Sequence, residues 1–203
     1  MSTAVDETSG HEVSTAAVPA THHNNACLST MEYVMRDREG NRAASILLFG
    51  DVTNCSELRQ LVLDGTLQVC LVRAPLVVDL FQVQCALAKV LAKKSSGRLK
   101  TRSVLSEVLY VLGPTGNIRD SLTQMGAQDS DSAVVVVRLD DPEDKHLNML
   151  SERIKGRQLP VEKIPQFTDS QAIAKLFKVT ESELSAGSLL DALVTRVALK
   201  DEV

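Results

Sequence analysis

Residues 99–126 read LKTRSVLSEVLYVLGPTGNIRDSLTQMG, and this stretch decides the fold. Ser103 is typical of a helix N-cap, and apolar residues follow it at helical spacing until Gly113-Pro114 ends the pattern. Asn117 then caps a second, shorter helix with its own apolar stripe. Gly126 follows that helix, where we expect a left-handed backbone. The stretch predicts two capped helices joined by one tight turn.

This order of basic segment, helix, turn and second helix resembles the PRPK-binding protein (TPRKB) family of small KEOPS/EKC complex subunits. The resemblance runs from about Met31 to the C-terminus with the family's element order preserved, which is more than one short motif supports. Three further segments carry it, namely SILLFGDVTN at 45–54, AVVVVRL at 133–139 and GSLLDAL at 187–193. The resemblance implies that this chain has the fold of that family and is a subunit of the same complex.

The chain is expected to form a single α/β (α+β) domain over residues 31–203, with a mixed β-sheet packed by several helices. Residues 1–30 are rich in Ser, Thr, Ala and His without an apolar period, which is typical of a disordered N-terminal tail. Within the domain we expect a hairpin of an edge strand and a buried strand, then two more core strands. These strands are residues 32–36, 45–50, 67–72 and 133–139.

Helix boundaries follow from capping residues. Asn54 is expected to cap a helix that Gly65 ends, and Asp79 with Gln82 resembles a capping box that begins a long helix reaching about Lys94. A run of uninterrupted valines at 134–137 suits a strand covered on both faces. Later elements are an acidic loop at 140–144 leading into a short helix, a short strand near 157–161, a helix at 169–177 and a final helix capped by Ser188 and Asp191.

Composition narrows the functional classes. The 203 residues carry a net charge of −4 and only 3% aromatic side chains, so no overall field attracts nucleic acid and few rings are available to stack on bases. The apolar runs are too short to span a bilayer, and the first thirty residues lack the basic start and apolar core of a secretory signal. We therefore expect a protein of the cytosol and nucleus without a membrane partner.

Motifs for catalysis, cofactors and metals are not found in the sequence. The Gly113–Asn117 turn lacks the spacing of a phosphate-binding loop, and a helix-to-helix turn is the favoured interpretation. Four cysteines form no Cys-x-x-Cys pair, so buried free thiols are favoured over a disulfide or a metal site. His146 beside the acidic loop is expected to be solvated. We predict no enzyme activity, no cofactor and no metal site.

One segment concentrates positive charge, with five cations inside ten residues around Gly97. A solvated linker between two helices explains it, and a phosphate-binding patch is the alternative. The family resemblance favours the patch, because members of that family help to hold transfer RNA within the assembled complex. The predicted tRNA-binding residues are Lys93, Lys94, Arg98, Lys100 and Arg102.

The last helix carries an apolar stripe with two interpretations. It either packs into the core of this chain or forms an exposed face that docks on a partner. The resemblance favours docking, since the family binds the N-terminal lobe of a small atypical kinase of the PRPK type and reaches the other KEOPS subunits through it. The predicted kinase-binding residues are Leu189, Leu190, Leu193 and Val197.

The resemblance implies a non-catalytic subunit of the KEOPS/EKC complex. Such a subunit binds the kinase, acts as an allosteric effector and supports threonylcarbamoyl-adenosine modification of tRNA. Two alternatives stay open, a small α/β enzyme whose site is assembled from dispersed residues and a stand-alone RNA-binding module. A ligand-sized polar pocket with perturbed carboxylates favours the first, and RNA binding by the lone chain favours the second.

Overall fold

The computed structural model of the chain describes residues 32–36, 40–139, 150 and 152–201. The strands of these residues are β1 (Glu32–Arg36), β2 (Arg42–Gly50), β3 (Cys70–Arg73), β4 (Val134–Leu139) and β5 (Arg157–Leu159). Their α-helices are α1 (Cys55–Leu63), α2 (Leu80–Ser95), α3 (Val104–Leu112), α4 (Ile118–Met125), α5 (Ser170–Phe177), α6 (Glu181–Ala186) and α7 (Leu189–Leu199). Two 3-10 helices cover Ala74–Leu76 and Val161–Gln166.

The strands form one sheet in the order β1-β2-β4-β3, and β5 pairs with the end of β2 that lies beyond β1. β1 and β2 form the expected hairpin, with Glu32 opposite Leu47. The predicted α/β class is confirmed. Every strand pair among the described residues is antiparallel, however, where we expected a mixed sheet.

The central strand β4 lies between β2 and β3, and both of its faces are buried, as its valines predict. Val135 and Val137 point to one core, and Val134 and Val136 point to the other. The first core is covered by α2 and α3 with residues of α4, α5 and α7, and the second is covered by α1. Helices therefore cover both faces of the sheet.

The two helices of the deciding stretch form as predicted. The Ser103 hydroxyl accepts a hydrogen bond from the Ser106 amide at 3.0 Å, which caps α3, and the Asn117 side chain accepts one from the Asp120 amide at 3.3 Å, which caps α4. α3 ends at Leu112, directly before Gly113. The predicted cap of α7 is also present, because Ser188 and Asp191 form a reciprocal capping box.

Gly126 is extended rather than left-handed, with a φ of −69°, so that prediction is wrong. A Cβ at this position would lie 2.6 Å from the Leu122 carbonyl oxygen. Gly126 also forms an isolated antiparallel bridge with Val72 of β3. The glycine is required by close backbone approach and not by its φ angle.

Two predicted caps differ in detail. Asn54 precedes α1, but its side chain makes no cap there and instead binds the backbone of Arg153 and Lys155 at 2.9 and 3.0 Å. Asp79 caps α2 through the Phe81 amide, while Gln82 accepts from Val78 and not from Asp79. Asn54 therefore joins two distant segments, which local sequence patterns do not predict.

The predicted strand at 67–72 is shorter than expected, since β3 begins at Cys70. Helix α6 was not predicted, although Thr180 and Glu183 form a capping box that its sequence contains. The predicted tail at 1–30 and the acidic loop at 140–144, with His146, lie outside the described residues.

Candidate functional site

The predicted basic segment begins in the last turn of α2 and ends one residue before Ser103, the cap of α3. Lys94, Arg98 and Arg102 are exposed, and none of them forms an ion pair with another described residue. Lys93 is different, because only 12% of its side chain is exposed and it is paired with two carboxylates. The five predicted cations are therefore not equivalent.

Glu107 is a buried carboxylate on α3, and its side chain is fully inaccessible. One carboxylate oxygen accepts a hydrogen bond from the ammonium of Lys93. The other accepts from the backbone amides of Lys100 and Thr101, at 3.0 and 2.7 Å. Burial opposes the charge on Glu107, but these bonds outweigh it and lower the pKa of the carboxyl. Glu107 thus fixes the path of the basic segment.

Asp201 completes the cluster from the other end of the chain. Its carboxylate accepts hydrogen bonds from Lys93 at 2.7 Å, from Lys100 at 2.5 Å and from the Tyr110 hydroxyl at 2.6 Å. Burial opposes ionisation of Asp201, but the bonds from Lys100, Lys93 and Tyr110 hold its pKa well below the usual range. We call Lys93, Lys100, Glu107, Tyr110 and Asp201 the carboxylate–lysine cluster.

Lys200 lies on the edge of this cluster. Its ammonium lies 4.5 Å from the centre of the Tyr110 ring and donates to the backbone oxygens of Gly113 and Thr115 in the turn after α3. A cation at a helix C-terminus is favourable, because the last carbonyls are unpaired and carry partial negative charge. Burial nevertheless lowers the pKa of Lys200 to about 8. Lys200 holds the end of α7 against the turn between α3 and α4.

A cavity of about 640 Å³ opens between α2 and α7, beside the cluster. Lys89, Arg98 and Lys100 line it together with Asp201. Its remaining lining includes the apolar side chains of Val194 and Val197. The cavity therefore combines a nonpolar wall with several cations.

A second cavity of about 690 Å³ lies between α1, the outer edge of β3 and the α3–α4 pair. Leu105, Leu109 and Leu122 line it, and the strongly exposed Leu63 lies on its rim. The lining of this groove is mainly nonpolar.

The predicted kinase-binding residues divide into two sets. Leu193 and Val197 are buried in the core of this chain, as the core interpretation of the stripe predicts, and Leu189 packs against the same core. Leu190 is partly exposed and is not part of that packing. Val194, one turn further, shares these properties and was not among the predicted contacts. Leu190 and Val194 form the accessible apolar stripe of α7.

The cysteine prediction agrees with the structure where it is described. Cys55 and Cys70 are buried free thiols, and Cys85 is a half-buried one. Burial raises the pKa of all three, so the thiol form dominates at neutral pH. Cys27 lies outside the described residues.

Neither a metal-binding cluster nor a membrane-spanning helix is found among the described residues. They contain no group of three or more His, Cys, Asp or Glu side chains placed to hold a metal ion. None of their helices combines the length and apolar character needed to cross a bilayer.

Comparison with known proteins gives the same assignment as the deciding stretch. Residues 49–201 match the sequence model of the family described as "Kinase binding protein CGI-121". The chain belongs to this family. The matched residues include the whole carboxylate–lysine cluster and all of α7.

Relatives in other organisms carry consistent names. The chain is 38% identical over 156 residues to the "EKC/KEOPS complex subunit TPRKB" of Danio rerio. The aligned residues cover 76% of this chain and 89% of that protein. The chain is 29% identical over 149 residues to the "EKC/KEOPS complex subunit CGI121" of Yarrowia lipolytica, covering 71% and 85%. The family resemblance inferred from the sequence is therefore confirmed.

Sequence reasoning missed three residues of the cluster, Glu107, Tyr110 and Asp201. A signal existed for Glu107, since a carboxylate stands among apolar residues in the middle of α3 and a buried charge requires a partner. Asp201 had no such signal, because its partners are about a hundred residues away.

Proposed function

We propose that this chain is the small, non-catalytic subunit of a KEOPS/EKC complex and that it binds a PRPK-type atypical kinase. The observation that carries the proposal is the match of residues 49–201 to a family of kinase-binding proteins. The names of the relatives in Danio rerio and Yarrowia lipolytica support membership of the complex. Contact with the other subunits is then made through the kinase.

The non-catalytic role is supported by how the perturbed carboxylates are used. Asp201 lines a ligand-sized cavity, which is the feature that the enzyme alternative requires. Its pKa is lowered, however, so it stays ionised and paired with lysines at neutral pH. A general acid or base needs a pKa near the working pH. Asp201 and Glu107 thus have the properties of structural ion pairs.

The kinase contact is assigned to the accessible stripe of α7, Leu190 and Val194. An apolar helix face that does not pack on its own core is suited to docking in a partner's groove. Leu193 and Val197 lie on the buried side of α7, where they pack into the core of this chain. We therefore propose that Leu193 and Val197 contribute to binding by positioning α7 and not by direct contact.

The effect on the kinase is proposed to be allosteric. A rigid subunit shifts a conformational equilibrium only by the difference in its affinity for the two states. We expect the chain to bind the active arrangement of the N-terminal lobe more tightly than the inactive one. For the same reason, it should increase the activity of the complex without supplying a reacting group.

A tRNA contact is proposed for the basic segment, made through phosphates. Lys94, Arg98 and Arg102 are exposed and form no ion pair with another described residue, so they are the first candidates to neutralise the RNA backbone. Lys93 and Lys100 are partly neutralised by the cluster carboxylates. The contact is therefore expected to be weak in the lone chain and to matter in the assembled complex.

Alanine substitution of Lys94 and Arg102 tests this contact. A matched control replaces Lys155 and Arg157, which are 67% and 72% exposed and pair with Glu57 of α1 and with Asp51 directly after β2. We expect the first pair to weaken tRNA binding by the complex several-fold and to reduce the slope of log K against log salt by about 1–2. Equal effects of the two pairs would refute a local contact.

The subunit role itself is tested by reconstitution. The complex is assembled with and without this chain, and formation of threonylcarbamoyl-adenosine in tRNA is measured. We expect a slower reaction without the chain, restored by adding it. Equal rates would contradict the role, and RNA binding by the lone chain as tight as that of the complex would favour the stand-alone module. We also expect the protein in the cytosol and nucleus, and imaging of a tagged chain can check this.

A further inference from the structure

Asp201 lies against two lysines of the basic segment. Two ammonium groups and one hydroxyl donate to its carboxylate, and only 12% of its side chain is exposed. Lys93, Lys100, Glu107 and Asp201 together carry two positive and two negative charges. The ion-paired part of the basic segment is therefore neutral only because Asp201 is docked.

The donors around Asp201 have the chemistry of a phosphate site. Lysine ammonium groups and a tyrosine hydroxyl bind phosphate oxygens as they bind carboxylate oxygens. The adjoining cavity of about 640 Å³ adds Lys89 and Arg98 to its lining, so an anion that reaches Lys100 meets further cations. Asp201 holds the position that such an anion would take.

Helix α7 does not hold the backbone of Asp201 in place. That backbone has a φ of 74°, a left-handed conformation that costs a residue with a Cβ some free energy. Helix α7 already ends at Leu199, so no helical hydrogen bond needs to break for Asp201 to move. Lys200 remains attached to the turn after α3 through Gly113 and Thr115. Asp201 can therefore leave the lysines while α7 stays in place.

We propose that Asp201 is an intramolecular competitor of RNA phosphate at the basic segment. While it is docked, it neutralises Lys100 and shares Lys93 with Glu107. When a phosphate displaces it, the segment gains one net positive charge and both lysines face the RNA. This inference rests on the tRNA contact proposed above and adds its regulation by the chain's own carboxylate.

The test is Asp201→Asn in the assembled complex, with tRNA as the probe. Asparagine keeps the size of the side chain and one acceptor but removes the charge. The matched control is Asp129→Asn, which removes the same charge from an exposed pair with Arg59. We expect Asp201→Asn to tighten tRNA binding about 3- to 10-fold and to steepen the salt slope by about one, and we expect Asp129→Asn to change neither.

A second variant keeps the test valid if Asp201→Asn lowers stability. Asp201→Gly removes the charge, fits the left-handed backbone at this position and leaves Tyr110 and every cation in place, so it should also tighten tRNA binding about 3- to 10-fold. Thermal unfolding of each variant is measured alongside. If a variant is less stable than the wild type and still binds tRNA more tightly, better folding does not explain the tighter binding.

The outcomes separate the two proposals. Unchanged or weaker tRNA binding in Asp201→Asn and Asp201→Gly, together with weaker binding on loss of Lys94 and Arg102, would overturn the competition and leave the tRNA contact standing. An equal gain in Asp129→Asn would reduce the effect to overall charge and also overturn it. If loss of Lys94 and Arg102 has no effect, the tRNA contact fails, and the competition fails with it.

Discussion

The Asp201 carboxylate accepts a hydrogen bond from the Lys93 ammonium at 2.7 Å, across 108 residues of sequence. The same ammonium donates to the buried Glu107, so one lysine joins α2, α3 and the segment after α7. Breaking one partner of a buried ion pair is costly because the remaining charge is left without compensation. The cluster is thus a structural centre that joins α2, α3 and the segment after α7.

Glu107→Gln should destabilise the fold by about 1–3 kcal/mol, because the amide no longer offsets the charge of Lys93 in a desolvated position. Urea denaturation of the full chain measures this free energy of unfolding. Glu162→Gln is the control, since Glu162 is exposed, and it should stay within about 0.5 kcal/mol of the wild type. A Glu107→Gln protein as stable as the control would show that the ion pair contributes nothing.

Gly113→Ala should lower the free energy of unfolding by about 1–3 kcal/mol. The midpoint of thermal unfolding should fall with it. Its Cβ would lie 2.3 Å from the Cβ of Ser121 and 2.9 Å from that residue's Cα, so the ends of α3 and α4 must separate. Gly116→Ala in the same turn is the control, because nothing lies within 4 Å of its added Cβ. Similar midpoints for the two variants would contradict the close approach of the two helices.

Gly113 and Gly126 illustrate what the sequence can and cannot predict. Local chemistry decides where a helix begins, so the caps Ser103, Asn117 and Ser188 were predicted correctly. Gly113 was predicted as a helix end, but its contact with Ser121 depends on how two helices pack. Gly126 was assigned the wrong φ for the same reason, since the requirement for glycine comes from its neighbours in space.

The functional residues divide in the same way. The cations of residues 93–102 were found because they are adjacent in sequence, whereas Asp201, which neutralises part of them, is distant. The apolar stripe on α7 is predicted from the helical spacing of its residues. That spacing does not tell which apolar face the rest of the chain covers. Only packing shows that Leu193 is buried while Leu190 is partly exposed.

Lys200→Met should change how stability depends on pH between about 8 and 10.5. The pKa of Lys200 is lowered by burial to about 8 in the folded chain, from an ordinary value of 10.5. In this interval the unfolded chain binds more protons, so the contribution of Lys200 to the unfolding free energy rises with pH. With solvent screening, we expect the wild type to gain about 1–2 kcal/mol relative to Lys200→Met across the interval.

Denaturation curves at pH 7.5 and pH 10.5 for both proteins measure this difference. Other lysines titrate in both proteins and cancel in the comparison. A constant difference between the two pH values would contradict the lowered pKa, and a wild type that loses stability relative to Lys200→Met as the pH rises would reverse its direction.

Leu193→Glu should prevent folding, whereas Leu190→Glu should weaken kinase binding. Leu193 is fully buried, so a glutamate there places an unpaired charge in the core and should unfold the chain. Leu190 is partly exposed, so Leu190→Glu should leave the circular dichroism spectrum unchanged and weaken kinase binding at least 10-fold. Leu63→Glu, at a leucine that is 76% exposed on α1, is the control for a surface charge and should affect neither property. Unchanged kinase affinity in Leu190→Glu would move the contact away from this stripe.

The most direct measurement of the central claim is the binding of this full chain to the PRPK-type kinase, by size-exclusion chromatography with light scattering and by titration calorimetry. We expect one stable complex with one copy of each protein. Two separate peaks and no heat of binding, with both proteins folded, would contradict the assignment of this chain as the kinase-binding subunit.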